Sequence, residues 1–335
     1  MKTVFKFAIA RRIIKKMKKS KKIIMVMLAA VAAFMLFTGC GFKKNDKLSV
    51  VVTIFPEYDW VREILGDNPG DAEITLLLDN GADLHSYQPT ADDVLKVQNC
   101  DIFIYAGGES DKWVSEVLRQ KSNKNMIILN LLEVLGDRAK DEEVVEGMEA
   151  EEEEEEGEKD EHVWLSLKNA EIICDAIKDA LSNADSKNKE TYEKNNTAYK
   201  EKLDKLDKEY TAAVENAKTK TLLFGDRFPF RYLVDDYGLD YYAAFVGCSA
   251  ESEASFKTIK FLSDKINELS LKHIMKIESS NGKLCDSIIE NSGAGDVDVL
   301  TLNSIQSVTS KDVKNGTSYL SLMEDNLSVL KKALD

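Results

Sequence analysis

Apolar residues are spaced along the chain in two series of short, strand-length runs. The first comprises LSVVVTI (48–54), AEITLLL (72–78), DIFIYAG (101–107) and MIILNL (126–131). Helical patterns such as YDWVREIL (58–65) and ADDVLKVQ (91–98) follow them. The second comprises TLLFG (221–225), DYYAAF (240–245), HIMKIE (273–278) and DVLTLN (298–303), again with helical stretches between. Strands that alternate with helices form parallel sheets, because a parallel pair needs a crossover long enough to hold a helix. The predicted fold class is therefore α/β: two parallel-sheet lobes, over residues 48–186 and 220–335.

Between the lobes lies the most regular periodicity of the sequence. Tyr192, Tyr199, Leu203, Leu206, Tyr210 and Val214 recur at spacings of three, four and seven in a stretch without Gly or Pro. They predict one amphipathic helix over 187–219, near 50 Å long at roughly 1.5 Å per residue. A coiled-coil partner helix is one reading of such a stripe. A rigid spine between the lobes, permitting only small hinge motion, is the preferred one.

Charge changes the picture in two places. Residues 1–22 carry ten Lys or Arg and no acid, and residues 23–37 are an unbroken apolar run of 15 that leads into FTGC (37–40). That order describes a secretion signal, and 15 apolar residues are short for a spanning helix. The predicted organisation is a lipoprotein-type signal at 1–39, Cys40 as the lipidated residue and a tether at 40–47. Met17 is an alternative start. Without residues 1–39 the chain carries 35 basic and 59 acidic side chains, a formal charge of −24. Such a body repels nucleic acid and anionic lipid. The second place is 141–161, with 14 acidic residues, six of them consecutive glutamates, and one lysine. At that density like charges neither bury nor pair, so the expectation is a disordered loop over 137–161, either a solvated face or a weak collector of cations.

Candidate chemistry is sparse. Cys100, Cys174, Cys248 and Cys285 show no C-x-x-C spacing, so neither a zinc knuckle nor a redox pair is indicated, and ordinary burial is expected for most of them. Of three histidines, His273 opens a strand and alternates with apolar neighbours, which reads as structural. His85 and His162 both stand between elements of the first lobe, where parallel sheets gather their ligand sites.

The segments around these residues resemble a known family, the metal-binding substrate-binding lipoproteins of bacterial ABC importers for zinc and manganese. GADLHSYQPTADDVLKVQNCDIFIYAGG (81–108) is similar to the family's first-ligand segment and HVWLSLKNAEIICDAI (162–177) to its second, although Leu167 replaces the usual proline. FTGC resembles the lipobox, with Phe37 where Leu is usual. The acidic segment occupies the place of a His-rich loop in zinc members. FGDRFPFRYLVDDYGLDY (224–241) resembles the third-ligand segment, where members carry His or Glu. Asp226 stands there, with one extra residue before the aromatic pair. The stretch 298–334 matches the C-terminal segment, with Asn303 where many members place an Asp ligand.

The resemblance implies a metal site in the cleft between the lobes. Its ligands would be His85 and His162 from the first lobe and Asp226 from the second, with Glu278, Asn303 or water in the fourth position. Asp226 as a mere cap of the following turn is the competing reading. A first-row dication takes imidazole nitrogen and carboxylate oxygen at about 2.0 to 2.2 Å. Two imidazoles favour Zn2+ over Mn2+ by the Irving–Williams order, and manganese stays the alternative if both Asp226 and Glu278 bind. The resemblance further implies a monomer tethered by lipid at the extracytoplasmic face of the cell membrane, delivering its ion to an ABC permease and its ATPase. No catalytic residue is expected, since no H-E-x-x-H motif is present to support a zinc hydrolase. A surface adhesin with a vestigial site is the other alternative.

Overall fold

The structure, a computed structural model, describes residues 47–66, 72–149, 158–249 and 253–335. The signal segment, Cys40 and most of the tether lie outside the described residues. Among the described residues no helix is long and apolar enough to cross a membrane.

The first lobe is a four-stranded sheet of β1 (Leu48–Val52), β2 (Ala72–Leu76), β3 (Ile102–Tyr105) and β4 (Ile127–Asn130), all parallel, in the order β2-β1-β3-β4. Its helices are α1 (Phe55–Leu65), α2 (Ala91–Asn99), α3 (Lys112–Arg119), α4 (Leu131–Leu135) and α5 (Leu167–Ala184). Central β1 is apolar on both faces, with Val50, Val51 and Val52 buried, as a parallel strand covered by helices must be.

The second lobe repeats the topology. Its strands are β5 (Thr221–Phe228), β6 (Asp240–Val246), β7 (His273–Lys276) and β8 (Asp298–Thr301), parallel and ordered β6-β5-β7-β8. Around them lie α7 (Arg231–Tyr237), α8 (Phe256–Glu268), α9 (Lys283–Ser292), α10 (Ser310–Lys314) and α11 (Tyr319–Ala333). All eight predicted strands are present. In each sheet the order reverses beside the first strand, so a ligand crevice is expected outside the carboxyl ends.

The linking helix, α6, spans Lys189–Glu215, roughly 40 Å at 1.5 Å per residue. It is shorter than the periodicity predicts because a 3-10 turn, Ser186–Asn188, precedes it and Asn216 closes it. The whole predicted stripe is buried, but against helices of the same chain, α1, α5 and α11. Its partners are therefore internal. The Tyr210 hydroxyl donates to the Met323 carbonyl at 2.6 Å, tying α6 to α11.

Helix α11 also joins the lobes. Tyr319 N donates to Asp59 Oδ2 at 2.8 Å, its hydroxyl donates to the Trp164 carbonyl at 2.6 Å, and its ring meets Trp60 edge to face with centroids 5.1 Å apart. Trp164 Nε1 in turn donates to the Ser304 carbonyl at 2.9 Å. With the Tyr319 hydroxyl and Trp164 Nε1 both hydrogen-bonded from one lobe to the other, these buried aromatics leave little freedom for the lobes to swing apart.

The acidic segment departs from expectation. Disorder was expected over 137–161, yet residues 137–149 and 158–161 pack against the body; 150–157 lie outside the described residues. Asp141 bridges antiparallel to Lys159, and Glu149 pairs with Phe245 along the open edge of β6. Two things make this possible. Val145 and Met148 interrupt the acids and pack on the core, and the acids find individual partners: Glu143 with Arg231 at 3.2 Å, Glu149 with the Ser255 N–H at 2.7 Å, Glu161 with the Ser110 N–H at 2.7 Å. Charge density over the whole segment concealed that alternation.

Candidate metal centre

His85 sits in a 3-10 turn, Leu84–Ser86, beyond β2. Leu84 is buried in the core and anchors the turn, and Asp83 caps it by accepting from the His85 N–H at 3.0 Å. His162 immediately precedes a second 3-10 turn, Val163–Leu165, whose three side chains are all buried. Asp160 Oδ1 accepts the His162 N–H at 2.8 Å and meets Nδ1 at 3.0 Å. Two apolar anchors thus fix two polar rings. The ring centroids lie 5.1 Å apart, and the two Nε2 atoms face each other at 3.1 Å.

That separation suits one ion. Two nitrogens at roughly 2.0 to 2.1 Å from a tetrahedral zinc are about 3.3 Å apart. To offer both Nε2 lone pairs, each ring must carry its proton on Nδ1. Each Nδ1 has an acceptor: Asp160 for His162, and the Ser110 hydroxyl, 2.8 Å away, for His85. Electrostatics separates the rings. Burial, and then the charge of His162, push His85 down to about 3. Burial also opposes charge on His162, but the carboxylates of Asp160, Glu161 and Glu142 outweigh it and hold that imidazole above its usual range. Glu161 is itself pushed up to about 7 by burial, against the hydrogen bond from Ser110.

The second lobe meets this pair with Cys248, two residues beyond β6. Among the described His, Cys, Asp and Glu side chains, donor atoms of His85, His162 and Cys248 all lie within 4.8 Å of one another. Glu142 Oε1 accepts from the Cys248 N–H at 3.1 Å, and Arg227 Nη1 donates to the Ser249 carbonyl at 3.2 Å. Arg227 also pairs with Asp83 of the first lobe at 2.5 Å. Burial works to raise Asp83, and the guanidinium overrides it, holding the carboxyl below its usual range.

The other expected ligands are engaged within their own lobe. Asp226 Oδ1 accepts from the Arg227 N–H at 2.9 Å and Oδ2 from the Ile277 N–H at 3.2 Å. Glu278 accepts from Ser304 twice, N–H and hydroxyl, each at 2.8 Å. Asn303 Oδ1 accepts from the Ile305 N–H at 2.7 Å. Asp226 and Glu278 do not belong to the close donor group, although Asp226 and His85 both line an adjoining cavity of about 630 Å³. His273 opens β7 and pairs in register with Asp298. Cys100, Cys174 and Cys285 are free and buried, as expected; Cys248 alone of the four is only half-buried. Sequence reasoning missed it because a single cysteine has no spacing to read. The available signal was its place, just past a strand of the second lobe.

A register shift in β5 explains the extra residue of the third-ligand segment. Phe224 pairs with Ala243 but Arg227 with Phe245, so β5 carries one residue more than its partner between those pairs. A bulge re-aims the side chains that follow it. Asp226 accordingly satisfies the backbone of its own lobe, and Arg227 reaches across to Asp83.

Comparison with known proteins bears on this arrangement. The model of the family described as ZnuA, zinc-uptake complex component A, periplasmic, matches residues 50–333. The zinc-binding lipoprotein AdcA of Streptococcus pneumoniae R6 is 33% identical over 322 residues, covering 94% of this chain and 61% of the relative. The high-affinity zinc uptake system protein ZnuA of Bacillus subtilis 168 is 28% identical over 323 residues, covering 92% of this chain and 97% of that protein. The chain thus spans about three fifths of the streptococcal relative's length and nearly all of the Bacillus one. Among solved structures, the Zn(II)-bound ZnuA-like domain of S. pneumoniae AdcA superposes with a TM-score of 0.68 at 32% identity, covering 86% of this chain and 99% of that domain. With its matching fold, its two facing imidazoles and a family model that spans nearly the whole described body, the chain belongs to the family of zinc-uptake complex component A.

Proposed function

We propose that this protein captures one Zn2+ ion between its lobes and hands it to an ABC permease driven by its ATPase. The observation that carries the reading is the pair of Nε2 atoms 3.1 Å apart, each ring backed by an acceptor at Nδ1. Neutral imidazoles so oriented are a poor resting arrangement without a cation between them and a good one with it. Zinc-binding relatives and a Zn(II)-bound structural neighbour support zinc over manganese, and so does the nitrogen content of the pair. In this reading His85 and His162 are ligands, and Asp226, Glu278, Asn303 or water supplies oxygen from the far side. The protein binds and releases without turnover. A lipid on Cys40 tethers a monomer at the extracytoplasmic face of the membrane, in keeping with the lipoprotein relative.

Equilibrium dialysis followed by elemental analysis tests the reading. The expected result is one zinc per chain, lost in both His85→Ala and His162→Ala. Stoichiometric zinc retained by both variants would overturn it.

A further inference from the structure

We infer that the thiolate of Cys248 is a zinc ligand, so that the second lobe contributes sulfur in addition to any oxygen. The inference deepens the zinc-capture reading and rests on it.

Three observations carry it. The sulfur belongs to the one close donor group that also contains both facing imidazoles. The turn bearing it is built for close approach: a Cβ on Gly247 would stand 2.9 Å from the Phe228 carbonyl and 3.0 Å from His162 Cε1. Only a residue without a side chain lets this turn lie against the His162 ring, and the next residue is the cysteine. The turn is also fixed at both ends, by Glu142 at the Cys248 N–H and by Arg227 at the Ser249 carbonyl. Arg227 is in turn tied to Asp83, which caps the His85 turn, so His85 and Cys248 are braced through one guanidinium. The carboxylate candidates are not so disposed, since both oxygens of Asp226 and of Glu278 already accept hydrogen bonds.

Chemistry agrees with geometry. Zinc–sulfur bonds of about 2.3 Å and zinc–nitrogen bonds of about 2.0 to 2.1 Å call for donor separations of roughly 3.3 to 3.6 Å. The three donors are already gathered within 4.8 Å, so a small inward movement of the turn closes the set. A thiolate is soft and selects zinc over manganese, magnesium and calcium. As the sulfur–zinc bond forms, the thiol proton leaves to solvent, because a coordinating thiol is deprotonated.

The test uses the full chain titrated with cobalt(II) as a spectroscopic stand-in for zinc. Wild type is expected to bind one equivalent and to show strong thiolate-to-cobalt charge-transfer absorption in the near ultraviolet. Cys248→Ser is expected to lose that absorption, keep the weaker visible bands of a nitrogen- and oxygen-bound ion, and bind zinc at least tenfold more weakly. If Cys248→Ser folds poorly, alkylation of wild type, mapped by mass spectrometry, replaces it: one equivalent of zinc should protect Cys248. Stoichiometric cobalt without charge transfer, or alkylation of Cys248 unchanged by zinc, overturns the sulfur ligand and leaves zinc capture standing. Failure of wild type to bind cobalt or zinc removes both.

Discussion

The two lobes share one topology, yet they present their donors to the cleft in opposite ways. In the first lobe each imidazole rides on a short turn pinned by buried apolar residues, Leu84 on one side and Val163, Trp164 and Leu165 on the other, and each Nδ1 has its own acceptor. In the second lobe the facing turn has a glycine and a half-buried cysteine, held by Glu142, which accepts from the Cys248 N–H, and by Arg227, which donates to the Ser249 carbonyl. The corresponding edge strands, β2 and β6, both lead into donor-bearing segments. One half-site is pinned by apolar burial and the other by polar contacts.

The largest expected effect breaks the imidazole half. With zinc at a thousandfold excess over its Kd, a site of this kind stabilises the folded chain by about 4 kcal/mol. His162→Ala should abolish that gain in thermal unfolding, and His85→Ala should do the same with less loss of ion-free stability, because His85 is only partly enclosed while His162 is fully buried. Next comes the cysteine half. Gly247→Ala forces a Cβ against a backbone carbonyl, a crowding worth about 1 to 3 kcal/mol, and should weaken zinc binding at least tenfold as calorimetry reads it. If Gly247→Ala leaves affinity unchanged, the second lobe does not close on the ion.

The brace between the halves should matter less. A double-mutant cycle on Asp83→Asn and Arg227→Met is expected to give a coupling of roughly 1 to 2 kcal/mol in urea unfolding, as for a partly shielded charged hydrogen bond. Acid titration sharpens the contrast between the rings. His85 lies near 3 when folded and returns to its ordinary range, about 6.5, when unfolded. Below about 6.5 the unfolded chain takes up a proton that the folded chain refuses, so His85 contributes a loss of stability as pH falls from about 6.5 toward 3. Ion-free His85→Asn should show a shallower acid slope than wild type. His162, held above its usual range, contributes oppositely: its stabilisation is present at low pH and fades as pH rises through its raised value. The smallest effect should come from Asp226→Asn. Its carboxylate already serves two backbone N–H groups, so zinc affinity should change less than in Cys248→Ser.

The same asymmetry governed what the sequence made legible. The sheets, the linking helix and its buried stripe were readable because burial enforces periodicity. His85 and His162 stood out because histidine is scarce in this chain and both fall between first-lobe elements. The second-lobe donors were hidden by tertiary geometry. The bulge between Phe224 and Arg227 shifts what the strand presents, and the value of Gly247 appears only when His162, 85 residues earlier in the chain, is seen against it. The ordered flanks of the acidic segment were missed for a related reason: Glu142 matters through its bond to the Cys248 backbone, and no local count of charge contains that partner.

Zinc-edge X-ray absorption of the protein loaded with a single equivalent reads the ligand set directly. The expected scatterers are two imidazoles at about 2.0 to 2.1 Å and one sulfur at about 2.3 Å. A shell of oxygen alone, without the outer scattering of imidazole rings, would contradict a zinc ion held between His85 and His162.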